Sequence, residues 1–332
     1  MRSPFWRAPF LATSLMLLGA MTVPTIAGAI QSQHLVSHTS TLPTLAQLKV
    51  DLVAAQTLST FPSSLQPELL NNLVHQAYAG PCTSDKAADT TVIVQSCAFG
   101  QTASVQTVVL YGDSFASMWQ PALSALGSAD NFKLILVARL NCPFASLPKS
   151  NYKDPNCAAW KVNAVKYINT LHPSVVVFSE KNVGSIDPTS PTASVTTFAT
   201  GIKTAMGQIH TAEKVVLLGM PYVHYNSSNT DDPGTCISLH QSSLTKCDTP
   251  IGNAFVAARL TADTRAVKAV SGAKVVSITP LVCGPVNCPV VAYDNGTPYI
   301  DFSNEFHISK WYSGLLGTAL GTVFVNSRVT GL

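Results

Sequence analysis

The chain has 332 residues, and charged residues make up only 11% of it, against a hydrophobic share of 46%. A soluble domain usually has about 25% charged residues, so this composition excludes an intrinsically disordered protein and provides material for a sizeable core. The net charge is +3 and the sequence has no run of Lys or Arg, which argues against nucleic-acid binding, because that needs clustered positive charge. One uncharged stretch, at 8–48, is far longer than any other, which argues against a many-pass membrane protein.

The amino end has the features of a secretory signal. Arg2 and Arg7 precede an apolar stretch at 10–20, and small residues at Ala27 and Ala29 fit the cleavage rule. We therefore predict a signal peptide over 1–29 and a secreted or extracytoplasmic cell-envelope location. An uncleaved membrane anchor is the alternative, since the segment is long enough to span a bilayer. Residues 30–44 follow as a predicted flexible stalk rich in Ser and Thr.

All eight cysteines lie beyond residue 29, in a chain expected in an oxidising compartment. Eight cysteines allow 105 connectivities, but here they form four couples that are close in sequence. A zinc site is disfavoured because no couple has C-x-x-C spacing. We predict four disulfides, namely Cys82–Cys97, Cys142–Cys157, Cys236–Cys247 and Cys283–Cys288.

The remaining chain alternates between predicted helices and strands. Apolar residues at helical spacing predict two helices, near 45–53 and 69–77, in a helical lead-in segment over 45–96. Short apolar runs then predict strands at 105–111, 133–138, 174–179, 214–219 and 273–278, with helices between them. Wholly apolar strands that alternate with helices predict an α/β domain over 97–332, a three-layer α/β/α doubly wound parallel sheet. Residues 222–251 lack an apolar period and are predicted to be a long surface insertion.

Two segments could carry chemistry. Gly112, Asp113 and Ser114 lie between the first strand of the predicted sheet and a helix, a position that exposes a hydroxyl at the carboxyl edge of the sheet. The alternative is that Asp113 or Ser114 only caps the helix. Near the carboxyl end, Asp301 and His307 lie in one loop. A serine nucleophile needs a base, and the base needs a group that orients it.

With these residues, the chain resembles the SGNH-hydrolase (GDSL-type) superfamily. It is most similar to the SGNH domain associated with bacterial membrane O-acyltransferases. The resemblance runs from about residue 81 to 324 and includes VVLYGDSFASMWQPAL (108–123), NCP (141–143), CAAW (157–160), PSVVV (173–177) and PLVC (280–283).

The resemblance implies a flavodoxin-like SGNH hydrolase fold. It also implies Ser114 as the nucleophile, His307 as the base and Asp301 as the acid that orients it. The oxyanion hole would use the backbone N–H of Ser114 together with Asn141 and Asn182, which follow the second and third strands.

Two positions depart from the family pattern. Phe115 stands where the family usually has histidine. The family acid usually precedes the histidine by three residues, a position held here by Asn304. Asp301 precedes His307 by six residues and Glu305 by two, so Glu305 is the alternative acid.

The resemblance implies a secreted serine esterase or O-acetyltransferase that acts on acyl esters, chiefly acetyl esters, of cell-envelope carbohydrate. Two alternatives stay open: a non-catalytic carbohydrate-binding or accessory module that kept the fold, and an accessory partner of a separate membrane acyltransferase. Neither a cofactor nor a metal is implied, and the sequence contains no phosphate-binding loop motif.

Overall fold

The computed structural model describes residues 42–65, 82–84, 97–148, 155–180, 191–210, 214–218, 233–251, 254–294, 297–300 and 307–332. All of them belong to one unit, Thr41–Leu332. The predicted signal peptide, most of the predicted stalk and the second predicted lead-in helix lie outside the described residues. The same is true of Asn182, Asp301 and Glu305.

The described elements follow one another in the alternating order that the sequence predicts. In chain order they are α1 (Leu45–Ala55), β1 (Thr83–Ser84), β2 (Ala98–Gly100), β3 (Thr107–Gly112), α2 (Ser114–Met118), α3 (Gln120–Ala129), β4 (Lys133–Arg139), α4 (Cys157–Leu171), β5 (Val175–Ser179), α5 (Pro191–Gly207), β6 (Lys214–Leu218), α6 (Pro233–Leu239), β7 (Thr249–Pro250), α7 (Ala254–Val267), β8 (Ala273–Val276), α8 (Thr279–Val282), β9 (Asn287–Cys288), β10 (Val291–Asp294), β11 (Thr297–Ile300), α9 (Lys310–Leu315) and α10 (Gly317–Asn326).

The main sheet has seven strands in the order β1-β4-β3-β5-β6-β8, with β2 also paired to β4. Every pairing is parallel except that of β2 with β4. The five predicted strands are β3, β4, β5, β6 and β8, and their spatial order, 2-1-3-4-5 in order along the chain, is the flavodoxin-like one. The predicted fold class is confirmed.

The two faces of the sheet belong to two hydrophobic cores. Val108 and Leu110 of β3 lie in one core, together with side chains of α1, α3 and α10. Val109 and Tyr111 lie in the other, together with side chains of α4, α5 and α7. Residue alternation along a strand sends successive side chains to opposite faces. The strands are therefore apolar throughout because both faces are covered by helices.

The described part of the predicted surface insertion, 233–251, is not simply a surface loop, and that prediction was wrong there. It contains α6 and a 3₁₀ turn at Leu244–Cys247. Its buried residues form a small third core with Phe61, Leu65, Val290 and Val291. Their burial comes from distant segments of the chain, so no local apolar period indicates it.

All four predicted disulfides are present: Cys82–Cys97, Cys142–Cys157, Cys236–Cys247 and Cys283–Cys288. They account for all eight cysteines. Among the helices that the structure describes, none is both long enough and apolar enough to cross a bilayer.

Candidate active site at the carboxyl edge of the sheet

Ser114 is the first residue of α2, directly after the turn that follows β3. Asp113 is the N-cap, and its carboxylate accepts a hydrogen bond of 2.8 Å from the N–H of Phe115. The capping role that the sequence left open for Asp113 or Ser114 therefore belongs to Asp113. Ser114 is half-buried, and its hydroxyl is not used by the cap.

Gly112 allows this turn to form beside β5. A Cβ atom at Gly112 would lie 1.8 Å from the carbonyl oxygen of Ser179, which is far inside van der Waals contact. The hydroxyl of Ser179 in turn donates to the carbonyl of Phe115 at 3.3 Å. The start of α2 is thus held against the carboxyl end of β5.

The segment that follows His307 is attached to the end of α2. The N–H of Ile308 donates to the sulfur of Met118 at 3.4 Å, and the hydroxyl of Ser313 donates to the Met118 carbonyl at 2.6 Å. Ile308 and Met118 are 190 residues apart in the chain. The hydroxyl of Ser309 caps α9 by accepting from the N–H of Tyr312, so the turn after His307 is also fixed locally.

His307 packs against the neighbour of the serine. Its ring centroid lies 4.7 Å from that of Phe115, with 42° between the planes. Phe115 is fully buried, and only 4% of His307 is exposed. Because Phe115 directly follows Ser114, the structure brings the serine and the imidazole to the same edge of the sheet. β11 ends at Ile300, and the proposed acid Asp301 lies just beyond the described strand.

Asn141 lies at the same edge, in the turn that follows β4. The N–H of Cys142 donates to the carbonyl of Arg139, closing a turn in which Asn141 has a φ of 57°. Asparagine tolerates this left-handed conformation better than most residues. In the parallel register of β3 and β4, Ala138 pairs with Gly112, so both strands end together. Asn182 lies outside the described residues.

A buried charged residue, Glu180, follows β5 and was not singled out by the sequence analysis. One carboxylate oxygen accepts from the N–H of Ala145 at 2.8 Å, and the other lies 3.7 Å from Nη2 of Arg259. Arg259 also donates from Nε to Asp263 at 2.7 Å. A glutamate directly after an apolar strand is an available sequence signal. Its partner Arg259 is 79 residues away, and only the fold identifies it.

Burial determines the ionisation of this cluster. It raises the pKa of Glu180 to about 8, although the charge of Arg259 and the Ala145 N–H oppose the rise. Asp113 and Asp263 add to the rise through their negative charges. Burial likewise lowers the pKa of Lys161 to about 8, against the opposing effect of Glu180. Burial therefore favours the protonated form of Glu180, which directly follows the strand beside the Ser114 turn.

The chemistry available at this edge comes from an alcohol, an imidazole and nearby backbone N–H groups. These are the parts that nucleophilic acyl transfer requires. Within the described ranges, no group of three or more His, Cys, Asp or Glu side chains is arranged to hold a metal ion.

The fold is shared by a domain whose structure has been solved. The periplasmic domain of a lipopolysaccharide acetyltransferase from Salmonella ser. Paratyphi A is 15% identical, with a TM-score of 0.52, and the match covers 85% of this chain and all of that domain. TesA is 13% identical with a TM-score of 0.36, and the match covers 66% of this chain and 98% of TesA. No curated protein matches the chain.

The sequence itself matches a family model, the SGNH domain (fused to AT3 domains), over residues 81–321. This range includes β3, the turn with Ser114, and the segment with His307. The match supports an enzyme of the esterase or acyltransferase type. The chain therefore belongs to the family of SGNH domains that are found fused to AT3 domains.

Proposed function

We propose that this protein is an extracytoplasmic serine esterase or O-acetyltransferase that acts on acyl esters, chiefly acetyl esters, of cell-envelope carbohydrate. The observation that carries the proposal is the contact of the His307 ring with Phe115, the residue after Ser114, in a segment that Ile308 and Ser313 attach to Met118 by hydrogen bonds. The substrate class is suggested by the similar Salmonella domain, which belongs to a lipopolysaccharide acetyltransferase.

In the proposed reaction, His307 accepts the hydroxyl proton of Ser114 as the serine oxygen attacks the acyl carbonyl carbon. The bond between that carbon and the sugar oxygen then breaks, and the sugar oxygen leaves with the proton from His307. Ser114 is left as an acyl ester. An acceptor then gives its proton to His307 and attacks the same carbon. The bond between that carbon and the Ser114 oxygen breaks, and His307 returns the proton to the serine oxygen. Water as the acceptor yields a carboxylic acid, and a sugar hydroxyl yields a new ester.

The remaining roles complete this site. Asp301 would orient the imidazole, with Glu305 as the alternative acid. The backbone N–H of Ser114, together with Asn141 and Asn182, would donate to the oxyanion. Loss of one such donor typically lowers kcat about 10²–10³-fold.

The proposed organisation is a signal peptide over 1–29, a stalk over 30–44, a helical lead-in over 45–96 and the SGNH-type domain over 97–332. The four disulfides favour an oxidising, extracytoplasmic compartment. A membrane acyltransferase is the proposed partner, because the matched domain family is one that is fused to AT3 domains.

Labelling with a fluorophosphonate tests the proposal. The folded wild-type protein should form an adduct on Ser114, Ser114→Ala should form none, and His307→Ala should react at least about a hundredfold more slowly. Ser128→Ala, which changes an exposed serine on α3, is the matched control and should label like the wild type.

Absence of an adduct in folded wild-type protein would contradict the enzyme and favour the non-catalytic module. In that case, co-purification with a membrane acyltransferase would identify the accessory role. If the adduct forms, the products of an acetyl ester with and without a sugar acceptor separate hydrolysis from transfer.

A further inference from the structure

We propose that Glu180 is a positioning residue for the reaction, one that holds the loop after β4 in the orientation needed at the catalytic edge. We call residues 140–147 the β4 loop. This inference rests on the proposed function, since the β4 loop contains the proposed oxyanion donor Asn141. Glu180 does not touch the reacting atoms in this proposal and acts only through the loop.

The β4 loop is held at the peptide groups of Ala145. Its N–H donates to the carboxylate of Glu180 at 2.8 Å, and its carbonyl accepts from Nζ of Lys161 at 2.8 Å. Both side chains are buried. The loop is also joined to α4 by the Cys142–Cys157 disulfide and to α5 by the bond from Ser146 N–H to the Gly201 carbonyl at 3.0 Å.

Glu180 is itself held from the other side. The guanidinium of Arg259 lies near its carboxylate at 3.7 Å and donates to its backbone carbonyl at 3.4 Å. Arg259 is fixed in turn by Asp263 and by the ring of Phe198, whose centroid is 4.6 Å from the guanidinium carbon. Burying such a set of charged and ionisable groups is unfavourable unless each is paired or hydrogen-bonded. Replacing such a set by apolar side chains is often neutral or stabilising, which favours a role in orientation over a role in stability.

Glu180 also adjoins the turn that carries the nucleophile. The preceding residue, Ser179, touches Gly112 through its carbonyl and donates to the carbonyl of Phe115. One short segment, 179–180, therefore contacts both the Ser114 turn and the β4 loop. A change at Glu180 alters the position of Asn141 relative to Ser114, and misplacement by about 1 Å can lower a rate a hundredfold.

Two substitutions distinguish the loss of the hydrogen-bond acceptor from a change in side-chain volume. Glu180→Gln keeps an oxygen that can accept from Ala145, and Glu180→Leu removes it at similar size. With an acetyl ester at pH 7, E180L should lower kcat about a hundredfold with KM nearly unchanged, and E180Q should stay within a few-fold of wild type. Equal kcat values for E180L and E180Q would overturn the proposal, as would an effect confined to KM.

Leu52→Ala is the control for an effect of lost stability alone. Leu52 is fully buried on α1, and its truncation opens a cavity in the core that contains Leu110, on the opposite face of the sheet from Phe198. This variant should lose stability and keep kcat at temperatures where it is folded. If E180L does not fold, Lys161→Met releases the carbonyl side of Ala145 instead and should lower kcat about tenfold with KM unchanged. Wild-type kcat in folded K161M would then overturn the proposal.

Hydrogen exchange of the peptides covering 142–147 provides a readout that does not depend on activity. E180L, or K161M in its place, should exchange faster there than wild type, and E180Q should not. If the wild type labels at Ser114 and exchange in the loop is unchanged, only the positioning role fails. If wild-type Ser114 does not react and exchange still rises, the proposed function fails while the hold on the loop stands.

Discussion

Gly112 determines whether β3 and β5 can approach each other behind the nucleophile turn. A methyl group there would overlap the backbone carbonyl of Ser179, which cannot move without breaking the pairing of the two strands. We expect Gly112→Ala to lower the free energy of unfolding by about 3 kcal/mol or more, the upper range for overpacking, and to reduce fluorophosphonate labelling of Ser114. Denaturant unfolding and labelling rates measure both effects.

The matched control is Gly207→Ala, because a Cβ at Gly207 meets nothing within 4 Å. Its stability should equal or slightly exceed that of wild type, since alanine reduces the entropy of the unfolded chain. Similar stability losses in the two variants would contradict the steric argument.

Glu180 provides a prediction for the pH dependence of stability. Its pKa is about 8 in the folded protein, against a usual value of 4.5, so the folded state binds the proton more tightly than the unfolded state. The contribution of this group to the free energy of unfolding is fully present below about pH 4.5 and is lost as the pH rises through 8. Glu180→Gln remains neutral, so we expect its stability relative to wild type to increase between pH 5 and 8.

Denaturant unfolding of both proteins at several pH values measures this difference. The lowered pKa of Lys161, also about 8, makes stability change with pH mainly above this window. A stability difference that stays constant from pH 5 to 8 would show that Glu180 is ionised throughout, with Arg259 outweighing the effect of burial.

At the scale of elements, two disulfides allow a matched comparison. Cys82–Cys97 and Cys142–Cys157 both join residues 15 positions apart, so chain entropy predicts a loss of about 3 kcal/mol on removing either one. Only the second ties the β4 loop to α4. We expect both double Cys→Ser variants to lose similar stability, and only Cys142/Cys157→Ser to lower kcat.

Unfolding curves and acetyl-ester kinetics at a temperature where both variants are folded distinguish these effects. Equal kcat values would mean that the disulfide does not help to orient the β4 loop.

The elements differ in how well local sequence predicts them. The central strands were predicted to within about two residues, because a run of buried β-branched side chains is a local property. The apolar spacing over 309–325 predicts one final helix, but the structure divides it into α9 and α10 at Leu316. Its apolar spacing continues across the break, so the sequence pattern does not reveal it.

For the molecule as a whole, α1 belongs to the core of the sheet domain. Leu45, Leu48 and Leu52 lie in the same core as Phe324 and Leu110, although the family match begins only at residue 81. A chain that starts at residue 81 would expose these partners. We expect it to be several kcal/mol less stable than a chain that starts at residue 42, because each buried leucine contributes about 2–5 kcal/mol.

Thermal unfolding of the two chains and of the full-length protein tests this expectation. Equal stability of the chain from residue 81 would show that α1 is dispensable and that the domain boundary lies after it.

Local patterns in the sequence determined the fold class, the four disulfides and the positions of Ser114 and His307. Strand burial, short disulfide loops and a turn between a strand and a helix are each encoded within about twenty consecutive residues. The catalytic roles of Ser114, His307, Asp301, Asn141 and Asn182 stay predictions. Tertiary structure alone decided that Asp113 caps α2, that Phe115 packs on His307, and that Glu180 joins the β4 loop to Arg259. The last two depend on contacts between segments 79 to about 190 residues apart. The cap depends on which of two neighbouring side chains reaches the backbone N–H, and only the geometry decides that.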